Sequence, residues 1–146
     1  MSVIPHLPNR ESSLVKSPGV GVAALILHEN RVLIGRRDKA PMPGSWQLPG
    51  GWVEYGVSPH STLARKIRRF PGMRVGDSSL VAFTDNHFDD GLHTISLYFR
   101  LTCLNADEID LDRNTSCKDW TWADWHDLPD DLFLPLALLK NSGFTI

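Results

Sequence analysis

Cysteine is scarce, with Cys103 and Cys117 the only two. Neither sits in a CxxC or Cys/His spacing, which excludes a zinc ribbon and a disulfide framework and leaves two reduced, partly buried thiols. Long hydrophobic runs are missing too. Nothing approaches the ~20 apolar residues of a membrane helix, and the opening MSVIPHLPNRESS lacks the apolar core of a signal peptide. The expected location is therefore cytoplasmic, away from membranes. No charge of one sign dominates: 15 basic residues face 17 acidic ones. Such a chain has no global field to draw in nucleic acid. Internal repeats and low-complexity tracts are absent. The expected partner is a small-molecule ligand.

What is present suffices for one domain with a real core, since 146 residues can bury one. Residues 1–17 are polar, carry Pro5 and Pro8, and read as an arm; residues 18–146 form the domain. VGVAALILH (Val20 to His28) has strand length and a continuous apolar character, and RVLIGRR (Arg31 to Arg37) returns from a turn at Glu29-Asn30. DKAPMPGS is a loop, and WQLP a short strand leading to Gly50-Gly51. Ser58-Pro59 starts a helix, with serine as N-cap and proline in the first turn. Leu63, Ile67 and Phe70 form its buried face, and Pro71-Gly72 ends it. LVAFTDNHF (Leu80 to Phe88) is a strand. From His93 the pattern alternates, with Ile95, Leu97, Phe99, Leu101 and Cys103 on one side and Thr94, Ser96, Tyr98, Arg100 and Thr102 on the other. CKDWTWADW is the last strand and DDLFLPLALLK a short apolar helix. The order β-β-(β)-α-β-β-β-α predicts an α+β fold, an α/β/α sandwich around a mixed sheet.

The stretch LPGGWVEYGVSPHSTLARKIRRFPGMRV (Leu48 to Val75) resembles the box of the Nudix hydrolases. With SPGVGVAALIL, GSWQLPGGWVEYG, HTISLYF and WTWADWHDLPDDLFLPL, the chain is similar to the eukaryotic branch of small nucleoside triphosphate diphosphatases, over roughly residues 17–144. The resemblance implies a Nudix fold. It also implies a box helix whose carboxylates at i, i+3 and i+4 share one face and hold magnesium or manganese. Counting from Gly51, the first glutamate position is Val57, the arginine is kept as Arg65, and the three helical carboxylate positions are Lys66, Arg69 and Phe70. Three negative charges become two positive ones. A dication ~5 Å from one fixed ammonium is repelled by ~6–7 kcal/mol at an effective dielectric near 20. The expectation is a degenerate box with no bound metal and no other cofactor. Read on helix physics alone, the cations are also a solvated, dipole-matched helix end.

The resemblance further implies a substrate pocket around Arg37, Gln47, Ser96, Phe133 and Leu136, and the residues themselves add Trp46, Trp52 and Tyr55 beside the glycine turn. The ionisable groups expected near this cleft are Glu54, Asp85, His87, Asp89 and His93, and the candidate acid/base set is Glu54, His87, Asp89 and His93. Three readings follow. The one expected first is a fold repurposed for metal-independent acid/base chemistry (isomerisation, cyclisation or hydrolysis) on a small aromatic or apolar molecule, and the other two are its alternatives. The second is a non-catalytic ligand- or nucleotide-binding protein in which Lys66 and Arg69 pair with phosphates. The third is residual diphosphate hydrolysis with a rebuilt carboxylate site. The similar branch is dimeric, so a homodimer is also implied.

Overall fold

The computed structural model describes residues 16–146, and the expected arm lies almost wholly outside them. Seven strands and two helices follow the predicted order: β1 (Gly19–His28), β2 (Arg31–Arg36), β3 (Trp46–Gln47), β4 (Gly50–Trp52), α1 (Pro59–Ile67), β5 (Ser79–His87), β6 (His93–Thr102), β7 (Lys118–Asp124) and α2 (Leu134–Asn141). The strands make one mixed sheet in the order β3-β2-β1-β6-β5, with β4 on β1 and β7 on β2. The β1–β6 pair is parallel, Gly19 meeting Thr94 and Leu27 meeting Thr102. The α+β, Nudix-type sandwich is what the molecule shows.

β1 has no polar face because it is covered on both sides. Val22, Ala24 and Ile26 point to α1, where Leu63, Ile67, Phe70, Phe99, Leu101 and Trp120 close one core. Leu25 points the other way, to Tyr98, Trp125, Leu136 and Leu139 beneath α2. A central strand buried on both faces reads as a continuous apolar run. Cys103 and Cys117 are buried fully rather than partly. Burial pushes the Cys117 thiol up to about 11, so it stays an inert thiol near neutral pH.

Helix boundaries shift for stereochemical reasons. Ser58 caps α1 as expected, its hydroxyl accepting from the Ser61 amide at 3.1 Å. The helix stops at Ile67 rather than at Pro71. Proline disfavours the α conformation in the residue before it, so the chain tightens to i→i+3 bonds, Arg69 N to Lys66 O at 3.2 Å and Phe70 N to Ile67 O at 2.9 Å. α2 begins at Leu134, four residues after the start of DDLFLPLALLK, because Pro135 fits only a first turn. The preceding residues instead bind β3, with Trp46 N donating to Asp131 O and Phe133 N to Trp46 O, both at 2.8 Å. That clamp sets Phe133 beside the sheet.

Candidate functional site

A cleft of about 210 Å³ opens on the α2 face of the sheet. The glycine turn (Gly50, Gly51, Trp52) forms one wall, the β6 residues Thr94, Ser96 and Tyr98 the floor, and Phe88, Phe133 and Leu136 the opposite side. Of the eight residues expected around a substrate, Arg37, Gln47, Trp52, Ser96, Phe133 and Leu136 line it. Two do not. Tyr55 is fully exposed, standing in solvent beyond the turn. Trp46, next to Gln47 in β3, does not line the cleft. Trp46 packs against the α2-side core, with the Arg36 guanidinium 5.4 Å from its ring centre.

The polar atoms of the cleft are already braced. Arg37 donates to the carbonyls of Pro41 and Ala40 and to the Gln47 side chain, and its guanidinium lies 4.1 Å from the Phe133 ring centre. It is a wall more than a free charge. Beneath the floor, the wholly buried Asn86 amide donates to Thr94 Oγ1 at 2.9 Å and to Ser96 Oγ at 3.0 Å. Each hydroxyl, having accepted, keeps its own proton to donate. Thr84 and the Tyr98 hydroxyl share a bond of 2.8 Å, and burial pushes the Tyr98 phenol up to about 12. Asn86 and Thr94 were absent from the expected site. The strand register, Asn86 opposite Thr94, is the signal that places them there.

The candidate acid/base set does not meet in this cleft. His87 pairs with His93 across β5–β6, and Asp85 with Ile95. These side chains share the face that carries Phe99 and α1, one residue out of phase with Thr94 and Ser96. There Asp85 takes His93 Nε2 at 2.6 Å and His87 Nε2 at 3.1 Å, and the two imidazoles stack at 4.1 Å. Hydrogen bonds from His93 and then His87 hold the Asp85 carboxyl below its usual value. Glu54 is elsewhere: its carboxylate is 3.9 Å from Arg65, both more than half exposed, a contact that contributes little. Asp89 is exposed in the β5–β6 turn. Among the described residues, the only cluster of three His, Cys, Asp or Glu side chains with metal-ligand spacing is Asp85, His87 and His93. A rebuilt three-carboxylate site is therefore not formed there.

A NUDIX domain profile matches residues 17–140. The chain belongs to the NUDIX domain family. It is 28% identical over 125 residues to the ADP-ribose pyrophosphatase of Methanocaldococcus jannaschii, covering 85% of this chain and 72% of that protein. It is 28% identical over 113 residues to the low-salt glycan biosynthesis protein Agl8 of Haloferax volcanii, covering 73% of this chain and 72% of that one. The MutT NUDIX hydrolase of Burkholderia pseudomallei superposes with a TM-score of 0.70 at 22% identity, over 88% of this chain and 100% of that one. These relatives are archaeal and bacterial.

The metal that this family implies can be tested against the donors at hand. Within the NUDIX box, Phe70 is 1% exposed and packs edge-on to Trp120 at 5.0 Å. Arg69 is exposed past the helix end, and the Val57 side chain offers no oxygen. Lys66 lies against Gly51, where an added Cβ would meet its Cε at 2.4 Å and its Nζ at 2.8 Å. Desolvation first, then Arg69 and Arg65, lower the Lys66 pKa, while Glu54 opposes them. An ammonium on the glycine turn and a phenyl ring in the core do not fit a magnesium or manganese pair.

Proposed function

We propose that this NUDIX protein binds an anionic nucleotide-type ligand, with its ring in the cleft and its phosphate oxygens at Lys66, and does so without metal-dependent cleavage. The observation that carries this reading is the placement of Lys66 against Gly51, a residue that also walls the cleft. Desolvation, and then Arg69 and Arg65, disfavour the charge on Lys66, and an arriving phosphate offsets both. A volume of about 210 Å³ suits one ring system, being below the ~300–1,000 Å³ of drug-sized sites. The ligand class is supported by the Methanocaldococcus relative's name, ADP-ribose pyrophosphatase, and by the resemblance to nucleoside triphosphate diphosphatases. A metal-independent acid/base reaction in the cleft would need groups that titrate near neutrality. The ionisable side chains of the lining are Arg37 and Tyr98, whose phenol titrates at about 12.

The test is calorimetric titration with ADP-ribose and with nucleoside triphosphates, in EDTA and in millimolar magnesium. Binding is expected to survive EDTA, and phosphate release is expected to stay at background in magnesium or manganese. Lys66→Glu should weaken binding at least about tenfold, or ~1.4 kcal/mol. Magnesium-dependent turnover by the pure protein would end the reading, and wild-type binding by Lys66→Glu would move the phosphates elsewhere.

We also propose that the protein pairs with a second copy along β5. This edge strand leaves Leu80 58% and Phe83 68% exposed, an apolar edge of the kind that proteins cover. Light scattering at tens of micromolar should report a dimer; a monomer mass rejects the pairing.

A further inference from the structure

We propose that Asp85, His87 and His93 form a binding site for a divalent transition-metal ion of the zinc class, on the sheet face opposite the cleft. This goes beyond the ligand reading and does not depend on it. The sheet itself builds the site. His87 and His93 are directly paired across β5 and β6, and Asp85 stands two residues back on the same face. Their ligand atoms all lie within 4.8 Å of one another. Two atoms on one tetrahedral zinc, at bonds of about 2.0–2.1 Å, are about 3.3 Å apart. The present contacts of 2.6 Å and 3.1 Å between imidazole nitrogen and carboxylate oxygen need only open slightly to admit the ion.

The chemistry selects the metal. Two imidazoles and one carboxylate favour zinc, nickel or copper over magnesium and calcium, which prefer all-oxygen shells. With neutral imidazoles the cluster carries one negative charge and attracts a dication. Side-chain exposures of 66% for His87, 55% for Asp85 and 38% for His93 leave water free to complete the coordination. The scaffold is held before any metal arrives. The connecting turn is closed by Phe88 N to Leu92 O at 2.9 Å and by Leu92 N to Asp90 Oδ1 at 3.0 Å. The stacked rings already aim both Nε2 atoms at one carboxylate, so binding exchanges hydrogen bonds for coordinate bonds without moving backbone. Removing that mutual bonding leaves each side chain a solvated surface residue, so the variants should fold.

The test uses tag-free full-length protein, stripped with EDTA, dialysed and titrated with zinc chloride. One zinc per chain is expected, and zinc should raise the thermal midpoint. His87→Ala and His93→Ala should each weaken uptake at least about tenfold, and the double variant should lose it. His87→Asn and His93→Asn keep the surface polar and should give the same loss. His126→Ala, exposed on another part of the molecule, should bind as wild type. Cobalt should give visible d–d bands in the wild type and in His126→Ala, and none in the double variant. No saturable uptake at submillimolar zinc, or equal uptake by the double variant, overturns the proposal.

Discussion

Phe70→Glu, which writes the family's carboxylate back into the box, is expected to destabilise the fold strongly rather than to restore a metal site. Phe70 is 1% exposed and packs among Leu63, Ile67 and Trp120. The change removes an aromatic ring from the core and places a carboxylate among the apolar side chains that surrounded it. Both effects are destabilising, and together they reach roughly 4 kcal/mol or more, against a total stability of about 5–15 kcal/mol for a domain. The loss should depend on pH. Burial raises the carboxyl's folded pKa above its unfolded value, so the folded variant holds the extra proton. Its stability is therefore least impaired below about pH 4, near the unfolded value, and falls as pH rises through the raised folded value. Urea unfolding at acid and neutral pH reads both effects. A midpoint near wild type at neutral pH would show that residue 70 can turn out to solvent and that the carboxylate position is still available.

Gly50→Ala carries the second large effect. A Cβ there would lie 2.1 Å from the Val22 carbonyl oxygen and 3.1 Å from Ala23 Cα, both backbone atoms that no rotamer change can clear. Gly50 is paired with Ala23 in the β4–β1 ladder. On either side of that pair, Ala24 N donates to Pro49 O and Val53 N to Val20 O, each at 2.8 Å. The turn must lift away, costing at least these bonds at ~0.5–1.5 kcal/mol each plus strain, so roughly 2–4 kcal/mol in all. Ligand binding should go with it, since the same turn walls the cleft. Gly76→Ala is the control: nothing lies within 4 Å of its added Cβ, and its effect should stay within about 0.5 kcal/mol. Equal melting of the two variants would mean that the close approach at Gly50 is not real.

The fold was largely legible in the sequence because its signals are local. A doubly buried β1 reads as an apolar run, β6 reads as alternation, and Ser58-Pro59 reads as a helix start. The site was legible only in part. Trp52 flanks a glycine turn that the chain announces and reaches the cleft, whereas Arg37, Gln47, Ser96, Phe133 and Leu136, which also line it, came only from the family resemblance. Tyr55 was misplaced because nothing local distinguishes an aromatic that covers a turn from one that leaves it. The histidines were misplaced by phase. His93 and Ser96 are three apart on a strand, and an odd spacing puts them on opposite faces. That much the alternation already contained. What it did not contain was the pairing of His87 with His93 and the carboxylate between them, which depends on a hairpin register set by the turn.

The partition of the interior into two cores has a consequence for engineering. The buried side chains under α1 and those under α2 form two separate clusters, on opposite faces of the sheet. Substitutions in opposite clusters and more than about 7–10 Å apart should have stability effects that sum to within about 0.5 kcal/mol. The apolar interior under α1 and the one under α2 can therefore be optimised as separate libraries and combined afterwards, whereas Lys66 and the glycine turn it touches have to be varied together.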